Sequence, residues 1–285
     1  MSAIHKLKAY FLLARPELAF TAGICALIGQ AAATGGVPAL NTAAVTFVSV
    51  FLLAASVMPV NDLVDIEIDR ANKPERPIAS GAVSPFEAVM LAALLAAAGL
   101  AFAMILSLQA FILALSLSAL GLLYNLKGKK LGLAGNAMVS ICVTGTLFFG
   151  AFAAGTFFSP VLLYLSPLVF FASLASETAG DIVDVEGDRR EGSNSFAVRY
   201  GKKAALILYA GLNCLLIAFA VAGVFLLLEP TRDILWILSI ITIFTTAVTA
   251  VFIRSDRNAV RKRLIYVYFI GLTILVLITA GLILA

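Results

Sequence analysis

Histidine is nearly absent from this 285-residue chain, since His5 is the only one. A single His near the N-terminus excludes zinc sites built from several His ligands and argues against a His general base. Cysteine is also scarce, because Cys25, Cys142 and Cys214 are too few and too scattered for a disulfide framework or a metal knuckle. We expect these thiols to be small packing residues, so the chemistry must come from other side chains.

Charge is scarce as well, at 13% of residues against 62% hydrophobic residues and a mean hydropathy of +1.05. Such a chain has too little polar surface for a soluble protein, so we expect an all-α, multi-pass membrane protein. Apolar runs of about 20 residues cross a bilayer as helices. The first run is long enough to span and lacks a cleavage site, so no signal peptide is expected. The nine predicted spans are roughly 10–33, 41–61, 85–107, 109–125, 132–153, 160–181, 203–228, 232–253 and 264–284.

Basic residues concentrate on one side of these spans. Of the 20 Lys and Arg residues, 19 lie either at the start of the chain, up to Arg15, or after an even-numbered span, and only Arg232 lies on the opposite side. The positive-inside rule makes that side cytoplasmic, with the N-terminus inside and the C-terminus opposite. No soluble basic patch with interleaved aromatic residues is present, so nucleic acid is not an expected partner.

Two acidic phrases stand out in this apolar sequence. Residues 61–70 read NDLVDIEIDR and residues 180–189 read GDIVDVEGDR, with six of ten positions identical. Both follow even-numbered spans, which places them on the predicted cytoplasmic face. The repeat indicates two halves, about 1–130 and 131–285, within one domain of residues 1–285, although convergence on one ligand spacing is the alternative.

Helical geometry predicts that each phrase gathers its polar side chains on one stripe. Gly187 is expected to end the second helix and leave Asp188 on a loop. Glu67 and Glu186 point off the stripes and are candidates for helix-end solvation. The first stripe covers roughly 100° and the second roughly 60° of the helix circumference. The stripe residues are Asn61, Asp62, Asp65 and Asp69, and then Glu177, Asp181, Asp184 and Asp188.

Hard oxygen donors select Mg²⁺ or Ca²⁺, and acidic clusters with few other ligands are typical of Mg²⁺ sites completed by a phosphate substrate. Basic groups close to the phrases favour a diphosphate, whose charge needs several cations. Lys73 and Arg76 follow the first phrase in a Pro-stiffened loop. Further candidates follow span four, namely Tyr124, Lys127, Lys129, Lys130 and Asn136.

These motifs resemble the UbiA superfamily of intramembrane prenyltransferases. The first signature matches Asn61-Asp62-x-x-Asp65-x-x-x-Asp69 and then Asn72-x-Pro74-x-Arg76-Pro77. The second matches Asp181, Asp184 and Asp188. Arg15-Pro16, Tyr124 with Lys129, and Gly135-Asn136 also resemble family positions, so the resemblance covers nearly the whole chain.

The resemblance implies nine helices around a central cavity, two Asp-rich cytoplasmic loops, and transfer of an isoprenoid chain from an allylic diphosphate to a lipophilic acceptor. Asp65, Asp69, Asp181 and Asp184 would be catalytic. The Mg²⁺ ligands would come from Asn61, Asp62, Asp65, Asp69, Asp181, Asp184 and Asp188. The diphosphate would be bound by Lys73, Arg76, Tyr124, Lys127, Lys129 and Asn136. Further substrate contacts are expected from Arg15, Arg70, Glu177 and Arg199.

The acceptor is less defined by these motifs. The phrase DIVDVEGDRREG resembles the archaeal branch that adds a second geranylgeranyl chain to geranylgeranylglyceryl phosphate. That branch often has Arg and Lys where this chain has Ser176 and Gly180, so an aromatic quinone precursor remains an alternative acceptor. A lipid head-group phosphotransferase would need a single contiguous signature, which is missing. A non-enzymatic cation transporter is a more distant alternative, whose acids would lie near mid-membrane.

Overall fold

The computed structural model describes residues 3–190 and 192–226, and every regular element in that part of the chain is helical, as predicted. Seven of the described helices are long and apolar enough to cross a membrane. The helices are α1 (Ala3–Ala14), α2 (Pro16–Thr34), α3 (Leu40–Val64), α4 (Ile66–Asn72), α5 (Pro85–Leu106), α6 (Leu108–Leu126), α7 (Leu133–Ala153), α8 (Pro160–Arg190) and α9 (Phe196–Leu226), with a short 3₁₀ helix at Gly128–Leu131.

The predicted first span is wrong at its beginning. Instead of one run over 10–33, the chain breaks at Arg15, whose φ of 44° ends α1 before α2 begins at Pro16. Helices α3, α5, α6, α7 and α8 each begin within one residue of a predicted span, whereas α9 begins seven residues earlier than predicted. Helices α1 and α4 are not among the seven candidate membrane spans. The last two predicted spans, 232–253 and 264–284, lie outside the described residues, and so does Arg232. The total of nine spans and the side of the membrane on which the C-terminus lies therefore stay predictions.

The chain divides into two compact units. Unit 1 contains residues 3–30, Pro38–Lys127 and Gly145–Phe157, and unit 2 contains Ala31–Val37, Gly128–Thr144 and the described residues from 158 onward. In unit 1, α3 packs chiefly against α5, where the Ser49 hydroxyl donates to the Gly99 carbonyl at 2.8 Å. A side chain at Gly99 would collide with Leu53, so glycine permits this close approach.

Helix α1 is fastened to the start of α5 by a polar cluster. Lys6 Nζ donates to Glu87 Oε2 at 2.7 Å, and the Tyr10 hydroxyl donates to Glu87 Oε1 at 3.0 Å. Glu87 also closes a capping box with Ser84, which satisfies free N–H groups at the start of α5. Partial desolvation and the Glu87 carboxylate raise the pKa of Tyr10, which keeps the phenol protonated as a donor.

In unit 2, α8 packs against α9 around a core that includes Ile182, Val185, Tyr209 and Leu212. Ile182 and Val185 alternate with the acids of the second phrase along α8. Because Asp184 is exposed while Ile182 and Val185 are buried, the acids occupy a different face of α8 from the core residues.

Helices α2 and α7 meet at glycines in unit 1. A Cβ on Gly150 would lie 1.9 Å from the Ala26 carbonyl oxygen and 2.6 Å from the Gln30 nitrogen. These neighbours are backbone atoms, so the helices must separate to admit a methyl group. We expect Gly150→Ala to lower the free energy of unfolding by about 1–3 kcal/mol, measured as a lower Tm in detergent.

Gly211→Ala in α9 is the matched control. Nothing lies within 4 Å of a Cβ built there, so alanine meets open space. Alanine in a helix interior is favoured over glycine by roughly 0.5–1 kcal/mol, and we expect an unchanged or higher Tm. Equal effects of the two substitutions would contradict the close α2–α7 approach.

Candidate active site

The first acidic phrase does not lie on one continuous helix. Helix α3 ends at Val64, Asp65 adopts φ −91° and ψ 9°, and α4 begins at Ile66. The backbone continues to hydrogen-bond across the junction, since the Asp65 N–H donates to the Asn61 carbonyl at 3.1 Å. The phrase is therefore interrupted at Asp65, but Asp62 and Asp69 still face the same side, because Arg76 reaches both of them. The Asp-rich segment is helical rather than a loop.

Two arginines neutralise the inner carboxylates of this phrase. Asp62 and Asp69 have side chains only 4% and 5% exposed. Arg76 Nη1 donates to Asp69 Oδ2 at 2.6 Å and to Asp62 Oδ1 at 3.3 Å, and Arg15 Nη2 also donates to Asp62 Oδ1. We call these four residues the arginine clamp. The clamp draws the chain after α4 back onto the end of α3, so two predicted metal ligands have a second role in holding the fold.

Arg15 reaches the clamp from a strained backbone position. Its φ of 44° lies in the left-handed region, which costs a non-glycine residue about 1–3 kcal/mol. Such a conformation persists only where surrounding contacts hold it. Here the ion pair with buried Asp62 supplies one such contact. Arg15, which is predicted to bind substrate, therefore contacts the first acidic phrase.

Asn61 is held by Asn125, a residue outside the sequence motifs described above. Its Nδ2 donates to Asn125 Oδ1 at 3.1 Å, and Asn125 is 2% exposed near the end of α6. The signal for Asn125 was present, because a carboxamide inside a spanning helix is costly unless it is hydrogen-bonded. Its neighbour Tyr124 is half-buried, whereas Lys127 beyond the helix end is exposed.

The second phrase lies entirely on α8. The expected helix end at Gly187 is wrong, because α8 continues to Arg190 and keeps Asp188 on the helix. Helical spacing therefore puts Glu177, Asp181, Asp184 and Asp188 on one stripe, as predicted, but on a helix rather than a loop. Asn136 Nδ2 donates to Asp181 Oδ2 at 2.9 Å, and Asn136 is 6% exposed.

The remaining predicted residues divide between the two units. Arg70 is exposed and pairs with Glu67 at 2.8 Å, and Lys73 is half-buried after α4; both belong to unit 1. Lys129 is half-buried in the 3₁₀ helix of unit 2, and Arg199 is exposed with its guanidinium 5.3 Å from the Tyr200 ring centroid. Each unit thus carries one acidic phrase and part of the basic set.

The donor chemistry fits Mg²⁺. The Asp carboxylates and the Asn61 carbonyl oxygen are oxygen donors, which are the ligands that Mg²⁺ prefers. Across residues 3–190 and 192–226, no three Asp, Glu, His or Cys side chains are already gathered around a metal position. A complete protein cage is not needed, because Mg²⁺ keeps water and takes substrate phosphate oxygens beside one or two protein ligands.

Spanning helices with an oxygen-donor acidic phrase in each unit are the arrangement expected of an intramembrane enzyme that binds a diphosphate through Mg²⁺. The chain belongs to the UbiA prenyltransferase family, whose family model matches residues 22–284, and it is therefore a prenyltransferase. It is 34% identical over 198 residues to the digeranylgeranylglyceryl phosphate synthase of Thermococcus kodakarensis, covering 70% of this chain and 71% of that protein. The synthase of Pyrococcus abyssi is 32% identical over 203 residues, covering 71% and 73%.

Solved structures share the fold. A structure reported for digeranylgeranylglyceryl phosphate synthase superimposes with a TM-score of 0.76 and 26% identity, covering 98% of this chain and 99% of that one. A UbiA homolog from Archaeoglobus fulgidus, solved with GPP and Mg²⁺, gives a TM-score of 0.71 at 18% identity, covering 94% and 99%. These comparisons confirm the predicted family and the helical membrane fold.

Proposed function

We propose that this enzyme transfers a geranylgeranyl group from its diphosphate to geranylgeranylglyceryl phosphate, with Mg²⁺ as the cofactor. The observation that carries the proposal is the pair of oxygen-donor phrases on α3–α4 and α8, in a chain whose relatives are digeranylgeranylglyceryl phosphate synthases. The reaction forms one ether C–O bond, breaks the allylic C–O bond to the diphosphate, and releases the proton of the acceptor hydroxyl.

The side chains divide the work of releasing the diphosphate. Asn61 and Asp65 in unit 1 would hold Mg²⁺ through oxygen atoms. Asp184 and Asp188 in unit 2 would do the same, with Asp181 beside them. When bound there, Mg²⁺ would supply positive charge to offset the negative charge that develops on the departing diphosphate. Lys73 and Lys129 add fixed positive charge, with Arg76, Tyr124, Lys127 and Asn136 as further diphosphate contacts. Arg70, Glu177 and Arg199 would make further contacts to the substrates.

The reaction takes place at the cytoplasmic face. Both acidic phrases follow spans whose ends carry Lys and Arg, and the positive-inside rule places such ends in the cytoplasm. A cysteine introduced at exposed Lys127 should react with a membrane-impermeant thiol reagent only in inverted vesicles. Labelling in right-side-out vesicles would contradict this orientation.

Two residues of α8 and the sequence similarity to the archaeal synthases point to different acceptors. Ser176 is 5% exposed and Gly180 has no side chain, so neither supplies the cation expected beside a glycerophosphate. This observation favours an aromatic quinone precursor as the second candidate acceptor. The identity shared with the archaeal synthases weighs more, because it extends over about 200 residues rather than two positions.

An acceptor panel with purified enzyme and labelled geranylgeranyl diphosphate separates the candidates. We expect labelled ether lipid with geranylgeranylglyceryl phosphate and no product with 4-hydroxybenzoate. Product with the aromatic acceptor alone would overturn the lipid assignment and leave prenyl transfer intact.

Metal removal tests the cofactor. We expect EDTA to abolish product formation and added Mg²⁺ to restore it, because diphosphate departure requires charge neutralisation. A parallel sample with EDTA pre-saturated with Mg²⁺ controls for effects of the chelator on the detergent-solubilised protein. Turnover that persists in metal-free EDTA would contradict the Mg²⁺ assignment.

A further inference from the structure

A buried amide near the end of α6 has a role that the family motifs do not assign. Asn125 is 2% exposed, and both ends of its carboxamide contact α3. Its Nδ2 donates to the Val57 carbonyl at 3.4 Å, and its Oδ1 accepts from Asn61 Nδ2 at 3.1 Å. Asn125 therefore bridges the last two turns of the helix that ends in the first acidic phrase.

The direction of this hydrogen-bond chain is set by the backbone. A carbonyl oxygen can only accept, so the Val57 carbonyl requires the NH₂ end of Asn125. The Oδ1 end of Asn125 then faces Asn61 and can only accept, which requires the NH₂ end of Asn61. Because an amide carries its nitrogen and oxygen on opposite branches, Asn61 Oδ1 is turned away from Asn125.

That orientation matters for metal binding. Mg²⁺ takes oxygen ligands, and an amide rotated by 180° would present N–H groups to the cation instead. We propose that Asn125 is a positioning residue that holds Asn61 with its oxygen directed to Mg²⁺. The inference rests on the proposed function, since it takes Asn61 as a Mg²⁺ ligand.

A purely structural role for Asn125 predicts a different outcome. If the amide only ties α6 to α3, its removal lowers stability without a specific effect on metal affinity. If it orients Asn61, its removal weakens the metal site, and the loss disappears once Asn61 itself has been removed. A double-mutant cycle distinguishes the two roles.

The experiment uses the full-length protein in nanodiscs, with Mn²⁺ as a paramagnetic probe of the Mg²⁺ site and inorganic pyrophosphate in place of substrate. Mn²⁺ affinity is measured by electron paramagnetic resonance, and Tm is recorded in the same samples. We expect Asn125→Ala to weaken Mn²⁺ binding by about 10- to 100-fold, the usual effect of losing a group that orients a metal ligand. In the Asn61→Ala background the same change should have little further effect.

Two variants complete the design. Asn125→Asp keeps an acceptor for Asn61 Nδ2, so we expect Mn²⁺ affinity much closer to that of the unchanged protein than in Asn125→Ala, even if Tm falls. Asn213→Ala is the matched control, because Asn213 is a 1% exposed amide in α9 whose Nδ2 donates to the Tyr209 carbonyl at 2.8 Å. It should lower Tm and leave Mn²⁺ affinity unchanged.

The possible failures are separable. Additive effects of Asn61→Ala and Asn125→Ala, or a loss of Tm without a loss of Mn²⁺ affinity, would overturn the positioning role and leave the proposed function standing. Unchanged Mn²⁺ affinity in Asn61→Ala would instead remove Asn61 from the metal site, and with it the ligand that Asn125 is proposed to orient.

Discussion

Asp65→Ala and Asp184→Ala are each expected to lower prenyl transfer by roughly 10²–10³-fold while leaving the protein folded. Asp184 is exposed on α8 and Asp65 occupies the junction between α3 and α4, so neither substitution opens a cavity in a core. Each removes an oxygen ligand that would otherwise help neutralise the departing diphosphate. Transfer is measured with purified protein at saturating Mg²⁺, and folding is checked by gel filtration and Tm.

The acidic phrases contain their own controls. Glu67 and Glu186 occupy matching positions in the two copies and are both exposed. Glu67→Ala removes a surface ion pair with Arg70, which contributes about 0–1 kcal/mol to stability. We expect Glu67→Ala and Glu186→Ala each to retain prenyl transfer within about twofold of the unchanged protein. Full activity in the Asp65→Ala and Asp184→Ala double variant would mean that the acidic phrases have no catalytic role and only solvate the helix ends.

Hydropathy was sufficient to place most of the described spans. The predicted span 41–61 compares with Leu40–Val64, and 85–107 compares with Pro85–Leu106. A bilayer demands an uninterrupted apolar helix of about 20 residues, so the physical constraint is visible in composition alone. The same constraint says nothing about where a helix ends once it has left the apolar region.

The helix breaks were therefore the least predictable features. Arg15 precedes Pro16, and a residue before proline avoids the α region, so the break between α1 and α2 had a sequence signal. The junction at Asp65 has no glycine or proline beside it, so no local signal marks it. Conversely, Gly187 suggested a helix end that the structure does not have, because glycine tolerates helical backbone as well as turns.

The sequence also could not distinguish the roles of identical acids. Asp62 and Asp181 occupy the same position in the two phrases, yet Asp62 is held by two arginines and Asp181 accepts from the neutral amide of Asn136. Arg15 and Asn136 lie 47 and 45 residues from the acids they contact, so only the tertiary structure brings these groups together. A repeat in sequence therefore does not imply a repeat in electrostatic environment.

The arginine clamp leads to the second large expected effect. Arg76→Met should lower the free energy of unfolding by about 3–5 kcal/mol, because it leaves the buried carboxylate of Asp69 without the guanidinium that neutralises it. The measurement is a denaturation curve in detergent. Arg70→Met is the matched control, since Arg70 pairs with Glu67 on the surface, and we expect a change of less than about 0.5 kcal/mol.

Removing the partner charge separates stability from substrate binding. Asp69→Asn leaves a neutral side chain, so Arg76→Met should cost much less stability in that background than in the unchanged protein. The affinity for prenyl diphosphate should stay low in the double variant relative to Asp69→Asn alone, because methionine cannot replace the cation proposed beside the diphosphate. A KM equal to that of Asp69→Asn would instead mean that Arg76 acts only through the carboxylates it holds, and the diphosphate contacts would then reduce to Lys73, Lys127, Lys129, Tyr124 and Asn136.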